Sequence, residues 1–226
     1  MNTKKARYKK PVAIAWCVAL GICILGGVWM IVDSRREEPK TPVETRDPAD
    51  TTQYVYTADG YHRPSFYDPD YDTDIFTYQP WLDKLHYITY VDGGFKQMIT
   101  DGSHSDYGEP IEMFASYFDA LMHGDAQTLN SFYAPDYFEN NPKYERFTMQ
   151  KVYDIYVELI KNTDIKLDNG SDAIEYVYKI SYKILENDGT FRRDIESDAA
   201  RPQFYTVIDD GISLLITDVS YTYTAE

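Results

Sequence analysis

The sequence predicts an α+β fold in which N-terminal helices pack on a curved antiparallel sheet, with one transmembrane helix in front of them. Apolar residues recur at helical spacing between residues 110 and 160, and they then alternate along a strand from Ile174 to Ile184. Helices followed by a meander of strands are typical of an α+β layout. The transmembrane helix is predicted by 21 uncharged, mostly apolar residues, Val12–Val32.

This apolar run is long enough to cross a hydrocarbon core of roughly 30 Å as a helix. It ends in bulky residues without a small-residue cleavage site, and neither cysteine has the small residues before it that lipoprotein processing needs. We therefore predict an uncleaved signal anchor in the cell membrane. The positive-inside rule places residues 1–11 in the cytoplasm and the C-terminal domain outside, because five cations and no acid precede the run: Lys4, Lys5, Arg7, Lys9 and Lys10.

Small residues recur every fourth position within the predicted span, at Ala15, Ala19, Cys23 and Gly27. Such a stripe lets two membrane helices pack closely. The alternative is that small residues are simply common in membrane helices.

The formal net charge of the chain is −15, and because residues 1–32 carry +5, the part after the span sums to −20. Nucleic-acid binding needs the opposite sign, so we exclude a nucleic-acid partner. Both cysteines, Cys17 and Cys23, lie within the span, so the exported part has no disulfide. A cysteine-free exported domain is more typical of bacteria, and of Gram-positive bacteria in particular, than of eukaryotic secretion.

Residues 33–79 predict an acidic, Pro- and Tyr-rich extracytoplasmic linker. Its Tyr-rich part, Tyr54–Tyr78, docks either on the domain or on something else. Aspartates at positions 68, 70, 72 and 74 alternate like the start of a calcium loop, but Thr73 and Gln79 stand where an EF-hand needs Gly and Glu. We therefore expect a solvated acidic loop, and neither a metal nor a cofactor.

The remaining residues, 80–226, predict the extracytoplasmic domain. Residues 85–100 read as a hairpin with its turn at Asp92–Gly94. A helix follows with Pro110 in its first turn; Gly124 ends it, and Asp125 caps the next helix.

The spacing of apolar residues from Thr148 to Ile160 predicts a third helix. After the long strand, "FRRDI" predicts a partner strand, and Arg201–Ile208 and Ile212–Tyr223 predict two more. Apolar parity switches at Thr217–Asp218, which indicates a β-bulge.

The segment "FASYFDALMHGDAQTLNSFY" resembles the opening of the nuclear transport factor two-like superfamily, through residues Phe114, Phe118, Leu121, Gly124, Asp125, Leu129 and Phe132. The resemblance implies a cystatin-like cone of curved sheet wrapped on helices over residues 109–226, and sheets that pair in homodimers. The membrane-anchored arrangement is similar to the scaffold subunits of type IV secretion and conjugation machines. The Tyr-rich segment and the extra hairpin depart from that pattern.

Superfamily enzymes such as the polyketide cyclases use an Asp and a His in the cone. Asp119 and His123 share one helix face, but it is polar and opposite the apolar stripe, so we read them as a solvent-exposed helix corner. The other histidines are too scattered for a metal motif, and there is no nucleophile elbow or phosphate loop.

The stripe Tyr176, Tyr178 and Tyr182 predicts either a ligand- or glycan-binding wall or ordinary strand packing. Arg192, Arg193 and Arg201 form a cation group that either contacts an acidic partner or balances nearby acids.

These patterns predict a membrane-anchored extracytoplasmic binding or assembly module without catalytic residues. Its expected partners are the membrane, through residues 12–32, and either a second copy or proteins of a membrane complex. The alternatives are a secretion or conjugation scaffold subunit, and a small-ligand-binding or cyclase-like enzyme cone.

Overall fold

A computed structural model describes the protein over residues 55–57, 60–62, 65–100 and 102–224. The predicted anchor at residues 12–32, with its small-residue stripe, lies outside the described residues. Within them, no helix has the length and apolar character needed to cross a membrane.

The described residues form four helices and eight strands. The helices are α1 (Gln79–Leu82), α2 (Glu109–His123), α3 (Ala126–Ser131) and α4 (Tyr137–Asn140), and short 3-10 turns lie at Ile75–Thr77 and His104–Tyr107. The strands are β1 (Val55–Thr57), β2 (Gly60–His62), β3 (Ile88–Asp92), β4 (Phe95–Ile99), β5 (Val152–Lys166), β6 (Asp172–Ile184), β7 (Gln203–Asp209) and β8 (Leu214–Ser220).

Strands β3–β8 form one six-stranded sheet in the order β4-β3-β5-β6-β7-β8, and β1 pairs with β2. The predicted α+β class is confirmed, and the predicted β3–β4 hairpin is present. The sheet is mixed instead of antiparallel, because β3 and β5 run parallel. Parallel neighbours need a long connection, and here β4 and the helices α2–α4 supply it.

Helix α2 forms the core with the inner face of this sheet. Pro110 stands in its first turn and Gly124 ends it in the left-handed conformation, with φ 67°. Its apolar face is fully buried, with Phe114 and Tyr117 at 0% exposure. The facing sheet residues include a row across three strands, Ile99, Ile88 and Ile155, which are all buried.

The predicted third helix at Thr148–Ile160 is wrong, since residues from Val152 onward belong to β5. Two register shifts interrupt β5, one between Tyr153 and Tyr156 and one between Leu159 and Lys161. Each shift moves the buried face by one residue, so apolar residues recur at irregular spacings that imitate a helix. Buried Ile155 and Val157 show the period of two that is expected of a strand.

Strand β6 and the bulge in β8 are confirmed. Thr206 pairs with Asp218 and Val207 pairs with Ile216, which leaves Thr217 as the extra residue. The predicted strand at "FRRDI" is wrong. That segment is a loop organised by buried Asn187, whose Nδ2 donates to the carbonyls of Arg192 and Ile195.

Residues 65–82, which we call the strap, pack on the domain. The backbone N–H of Tyr67 donates to the Asn187 carbonyl at 3.0 Å, and the ring of Phe66 lies against Gly189. Further along, Ile75 and Trp81 are buried, and Trp81 Nε1 donates to the Val152 carbonyl at 2.9 Å. Most of the Tyr-rich segment therefore docks on the domain, although we expected the linker to extend to Gln79.

The contact between Phe66 and Gly189 predicts an effect on stability. A Cβ at Gly189 would lie 3.0 Å from two carbons of the Phe66 ring. We expect Gly189→Ala to lower the free energy of unfolding by about 1–3 kcal/mol more than Gly211→Ala does. Gly211 is a matched control because its φ is also positive, at 78°, but nothing lies within 4 Å of its Cβ position.

Urea denaturation of the full chain in detergent, followed by circular dichroism, measures both values. Equal losses for the two variants would mean that Phe66 is not seated on Gly189.

Candidate functional site

The interior between α2 and the sheet is filled by aromatic side chains. The hydroxyl of Tyr117 lies 3.1 Å from that of Tyr133 and 3.3 Å from that of Tyr205. The ring of Phe114 makes edge contacts with those of Tyr178 and Tyr205. Burial raises the pKa of Tyr117, Tyr133 and Tyr205 well above the usual tyrosine value. These hydroxyls are therefore neutral and satisfy one another inside the domain.

A buried ion pair closes one end of this interior. Arg192, which is buried, donates from Nε and Nη2 to the two carboxylate oxygens of Asp194 at 2.5 and 2.6 Å. Its Nη1 donates to the Tyr182 hydroxyl at 3.1 Å. Arg201 also faces Asp194, at 3.8 Å, whereas exposed Arg193 donates to the Gly189 carbonyl. Two of the three arginines therefore balance a nearby acid.

The tyrosine stripe of β6 is mainly part of the core. Tyr178 and Tyr182 are 3% and 2% exposed, and Tyr176 is partly buried. The rings of Tyr176 and Tyr178 stack with their centroids 6.1 Å apart. The three residues share one face as expected, but two of them are covered by other side chains. This placement favours the packing interpretation over a ligand-binding wall.

The polar residues at the C-terminal end of α2, together with Asp125 after it, form a helix corner. His123 Nδ1 lies 3.3 Å from an Asp119 carboxylate oxygen, and their side chains are 49% and 66% exposed. Asp125 caps α3 by accepting from the Thr128 backbone N–H at 2.9 Å and from its hydroxyl at 2.6 Å. The hydrogen bonds from Thr128 hold the pKa of Asp125 below its usual value. The imidazole of His123 also packs against Phe76 of the strap.

A groove of about 370 Å³ beside α2 contains His86, His104, Ser116 and Asp119 in its lining. His86 Nε2 is bonded to the Trp81 carbonyl at 2.6 Å, and the Ser116 hydroxyl donates to the Glu112 carbonyl. Across the described part of the chain, no group of three or more His, Cys, Asp or Glu side chains could hold a metal ion. The groove thus combines catalytic residue types without the hydrogen bonds that a nucleophile and its base require.

A second cleft, which we call the strap cleft, lies where the strap crosses the domain. It has a volume of about 290 Å³. The strap contributes Tyr67, Asp68, Asp70, Thr73 and Ile75; the domain contributes Thr148, Met149, Gln150, Lys151, Ile184, Leu185, Glu186 and Asp188. Four carboxylates and one ammonium group therefore line this cleft.

The charged groups of the strap cleft are held in place by hydrogen bonds. Asp70 accepts from Thr73 and from two backbone N–H groups, and these bonds lower its pKa. For Glu186, burial opposes ionisation, but bonds from Lys151 and Tyr78 outweigh it and hold its pKa below the usual value. Asp188 accepts from Thr148 and Thr190. The cleft is therefore negative at neutral pH.

A comparison of the chain with protein-family models, with curated proteins and with solved structures finds no match. The candidate site rests on its own geometry.

The strap cleft was not predicted from the sequence. Of the alternating aspartates in the strap, Asp68 and Asp70 line this cleft, and Asp70 accepts the hydrogen bonds of a local turn. Its other walls come from residues 148–151 and 184–188, which are far apart along the chain. No local spacing links these segments, so only the folded chain brings them together.

The corner interpretation predicts that Asp125 matters more than Asp119. We expect Asp125→Ala to lower the unfolding temperature more than Asp119→Ala does, because the α3 cap is lost. Asp119→Ala is expected to cost about 0.5 kcal/mol or less, since it removes only an exposed i,i+4 pair. Thermal unfolding of both full-length variants measures the difference, and a larger loss for Asp119→Ala would contradict the interpretation.

The Arg192–Asp194 pair predicts a pH-dependent defect. Burial opposes ionisation of Asp194, but Arg192 outweighs this effect and lowers the pKa of Asp194 in the folded state. The pair therefore stabilises the fold fully above the pKa that Asp194 has in the unfolded chain. This contribution is lost as the pH falls through the pKa of the folded state. In Arg192→Leu, Asp194 keeps the more distant Arg201 at 3.8 Å, and we expect burial to raise its pKa instead. We expect a loss of about 3–5 kcal/mol at pH 7 that shrinks as pH falls through the raised value.

Urea titrations between pH 4 and 8 test this expectation, with exposed Arg193→Leu as the matched control. Adding Asp194→Asn to Arg192→Leu should recover part of the loss at pH 7. A loss independent of pH would show that Arg192 acts by packing alone.

Proposed function

We propose that the protein is a membrane-anchored, extracytoplasmic binding or assembly module that performs no catalysis. The observation that carries this proposal is the filled interior. In a ligand-binding or catalytic cone, convergent polar groups face an open cavity. Here the polar groups of the interior meet in the core, where the hydroxyls of Tyr133 and Tyr205 each lie within 3.3 Å of the Tyr117 hydroxyl.

The anchor and its orientation are supported by the sequence of residues 1–32. An apolar run of the length of a hydrocarbon core follows a cluster of cations without acids. The acidic residues after the run are consistent with a domain that is displayed outside. Membership of the nuclear transport factor two-like superfamily is part of the same proposal, supported by helices packed on the inner face of a bent sheet and by the Gly124–Asp125 corner.

The strap gives this module its outward surface. Exposed aromatic rings, among them Tyr67 and Tyr71, stand on a segment whose other side is fixed to the domain. Aromatic side chains on a rigid support are typical of binding surfaces, because they contribute area at a low entropic cost.

The orientation can be tested with a single cysteine. The chain has no cysteine outside residues 17 and 23, so Cys17→Ala and Cys23→Ala give a cysteine-free background. Ile212 is 95% exposed at a hairpin tip. We expect Ile212→Cys to react with a membrane-impermeant maleimide in intact cells, and a cysteine introduced at Lys9 to react only after lysis. The reverse pattern would contradict the proposed topology.

The binding role can be tested in native membranes. A photo-crosslinking amino acid at Tyr71 of the strap is expected to form a discrete protein adduct, whereas the same group at Asn169 on the β5–β6 turn should not. Adducts that co-purify stably with several membrane proteins would favour an assembly role. Identical labelling at both positions would mean that no specific partner uses the strap.

A further inference from the structure

The strap cleft has the chemistry of a cation-binding site, and we propose that it binds an aliphatic primary ammonium group of the lysine side-chain type. This inference rests on the proposed function, because it supplies the class of ligand that the binding module takes. The strap forms one wall and β5 and β6 with the loop after them form the other, so the ligand would contact both.

The first argument is charge. Asp68, Asp70, Glu186 and Asp188 line the cleft against a single cation, Lys151. Lys151 is already engaged, because its ammonium lies 2.5 Å from a carboxylate oxygen of Glu186. Lys151 also acts electrostatically on Asp70. Among the cleft-lining residues, Asp68 and Asp188 are the carboxylates that form no ion pair with this cation. A cation that enters the cleft loses hydration energy. Interactions with the carboxylates exceed this loss only when the acceptors are already in position.

The acceptors are in position. The carboxylate oxygens of Asp188 accept from the hydroxyls of Thr148 and Thr190 and from the Thr190 N–H. A carboxylate has about four lone-pair sites, so Asp188 keeps acceptor capacity. No described residue donates a hydrogen bond to the side chain of Asp68, which is exposed at the cleft. These two acids belong to opposite walls of the cleft.

A second, independent observation is an unsatisfied acceptor in the cleft wall. Gln150 lines the cleft and is 2% exposed. Its Nε2 donates to the carbonyl and hydroxyl of Thr148 and to the hydroxyl of Thr190. Its Oε1 is the one buried side-chain polar atom without a hydrogen-bond partner in the described part of the chain. A buried acceptor left unpaired costs about 1–3 kcal/mol, which a donor entering the cleft would offset.

The size and apolar lining of the cleft favour an alkyl ammonium over a metal ion. Partly buried Met149 offers aliphatic surface for a methylene chain, and the buried side chains of Ile75 and Ile184 lie behind it in the cleft lining. Tyr67 adds an aromatic ring, of the kind that attracts ammonium groups. The volume, about 290 Å³, lies at the lower limit of small-molecule sites. The cleft carboxylates also form no metal-binding group.

The test is calorimetric titration of the full chain in detergent with Nα-acetyl-lysine N-methylamide. The matched probe is the norleucine analogue, which has the same butyl chain but no ammonium. We expect the lysine compound to bind at least tenfold more tightly. Butylamine, which lacks the peptide groups, distinguishes two sources of the ammonium group. It is expected to bind if the natural ligand is a free amine, and not to bind if the ligand is a lysine side chain of a protein. Equal binding of the lysine and norleucine compounds would overturn the proposal, as would displacement of the lysine compound by equimolar Ca²⁺.

Two variants locate the binding site. Asp68→Asn and Asp188→Asn are each expected to weaken lysine binding at least tenfold. Asp72→Asn is the matched control, because Asp72 lies in the same strap and is exposed but does not line the cleft. Asp188→Asn also disturbs the hydrogen bonds from Thr148 and Thr190. If Asp188→Asn unfolds for this reason, Asp68→Asn still tests the site. Equal weakening by Asp72→Asn would mean general charge attraction and would overturn the site.

The outcome is separable from the proposed function. Loss of lysine binding with persistence of the Tyr71 crosslink would reject the cleft and leave the binding module. Loss of the crosslink with retained, Asp68-dependent lysine binding would reject the protein partner and leave a small-ligand site.

Discussion

The packing of α2 against the inner face of the sheet is the interaction on which the rest of the structure depends. Phe114, Tyr117, Phe118 and Leu121 project from one face of this helix, and none is more than 1% exposed. Large aromatic rings contribute much of the buried area of a domain of this size. Because they fill the space between α2 and the sheet, the interior of the domain is occupied by its own side chains.

Because the core is filled, the clefts that could bind a ligand lie at the edges of the domain. The groove beside α2 and the strap cleft both lie where a segment outside the sheet meets it. The strap depends on the domain for its position, since Trp81 and Ile75 bury their side chains and Tyr67 bonds to the Asn187 loop. A change in the strap therefore alters the strap cleft, whereas the hydroxyl cluster around Tyr117 lies deep in the core.

Hydrogen bonds of the loop after β6 link the strap, the strap cleft and the end of the aromatic core. The Asn187 loop holds the strap through a backbone carbonyl, and the same loop leads into Arg192 and Asp194 at the end of the aromatic core. Asp188, which follows Asn187, faces the strap cleft. One loop thus positions a buried ion pair, a docking contact and a cleft carboxylate. Loops that carry several such roles are common at binding sites, because the scaffold fixes their ends.

The sequence by itself determined the elements that depend on local chemistry. Pro110, Gly124 and Asp125 define α2 and its corner, the alternation from Ile174 to Ile184 defines β6, and the parity switch at Thr217 marks the bulge. Tertiary structure alone decided the rest. The two register shifts in β5 gave this strand the apolar spacing of a helix. The parallel pairing of β3 with β5 depends on a connection across the sheet. The strap cleft joins segments that are distant along the chain. These features depend on contacts between residues far apart in the chain, which no local period records.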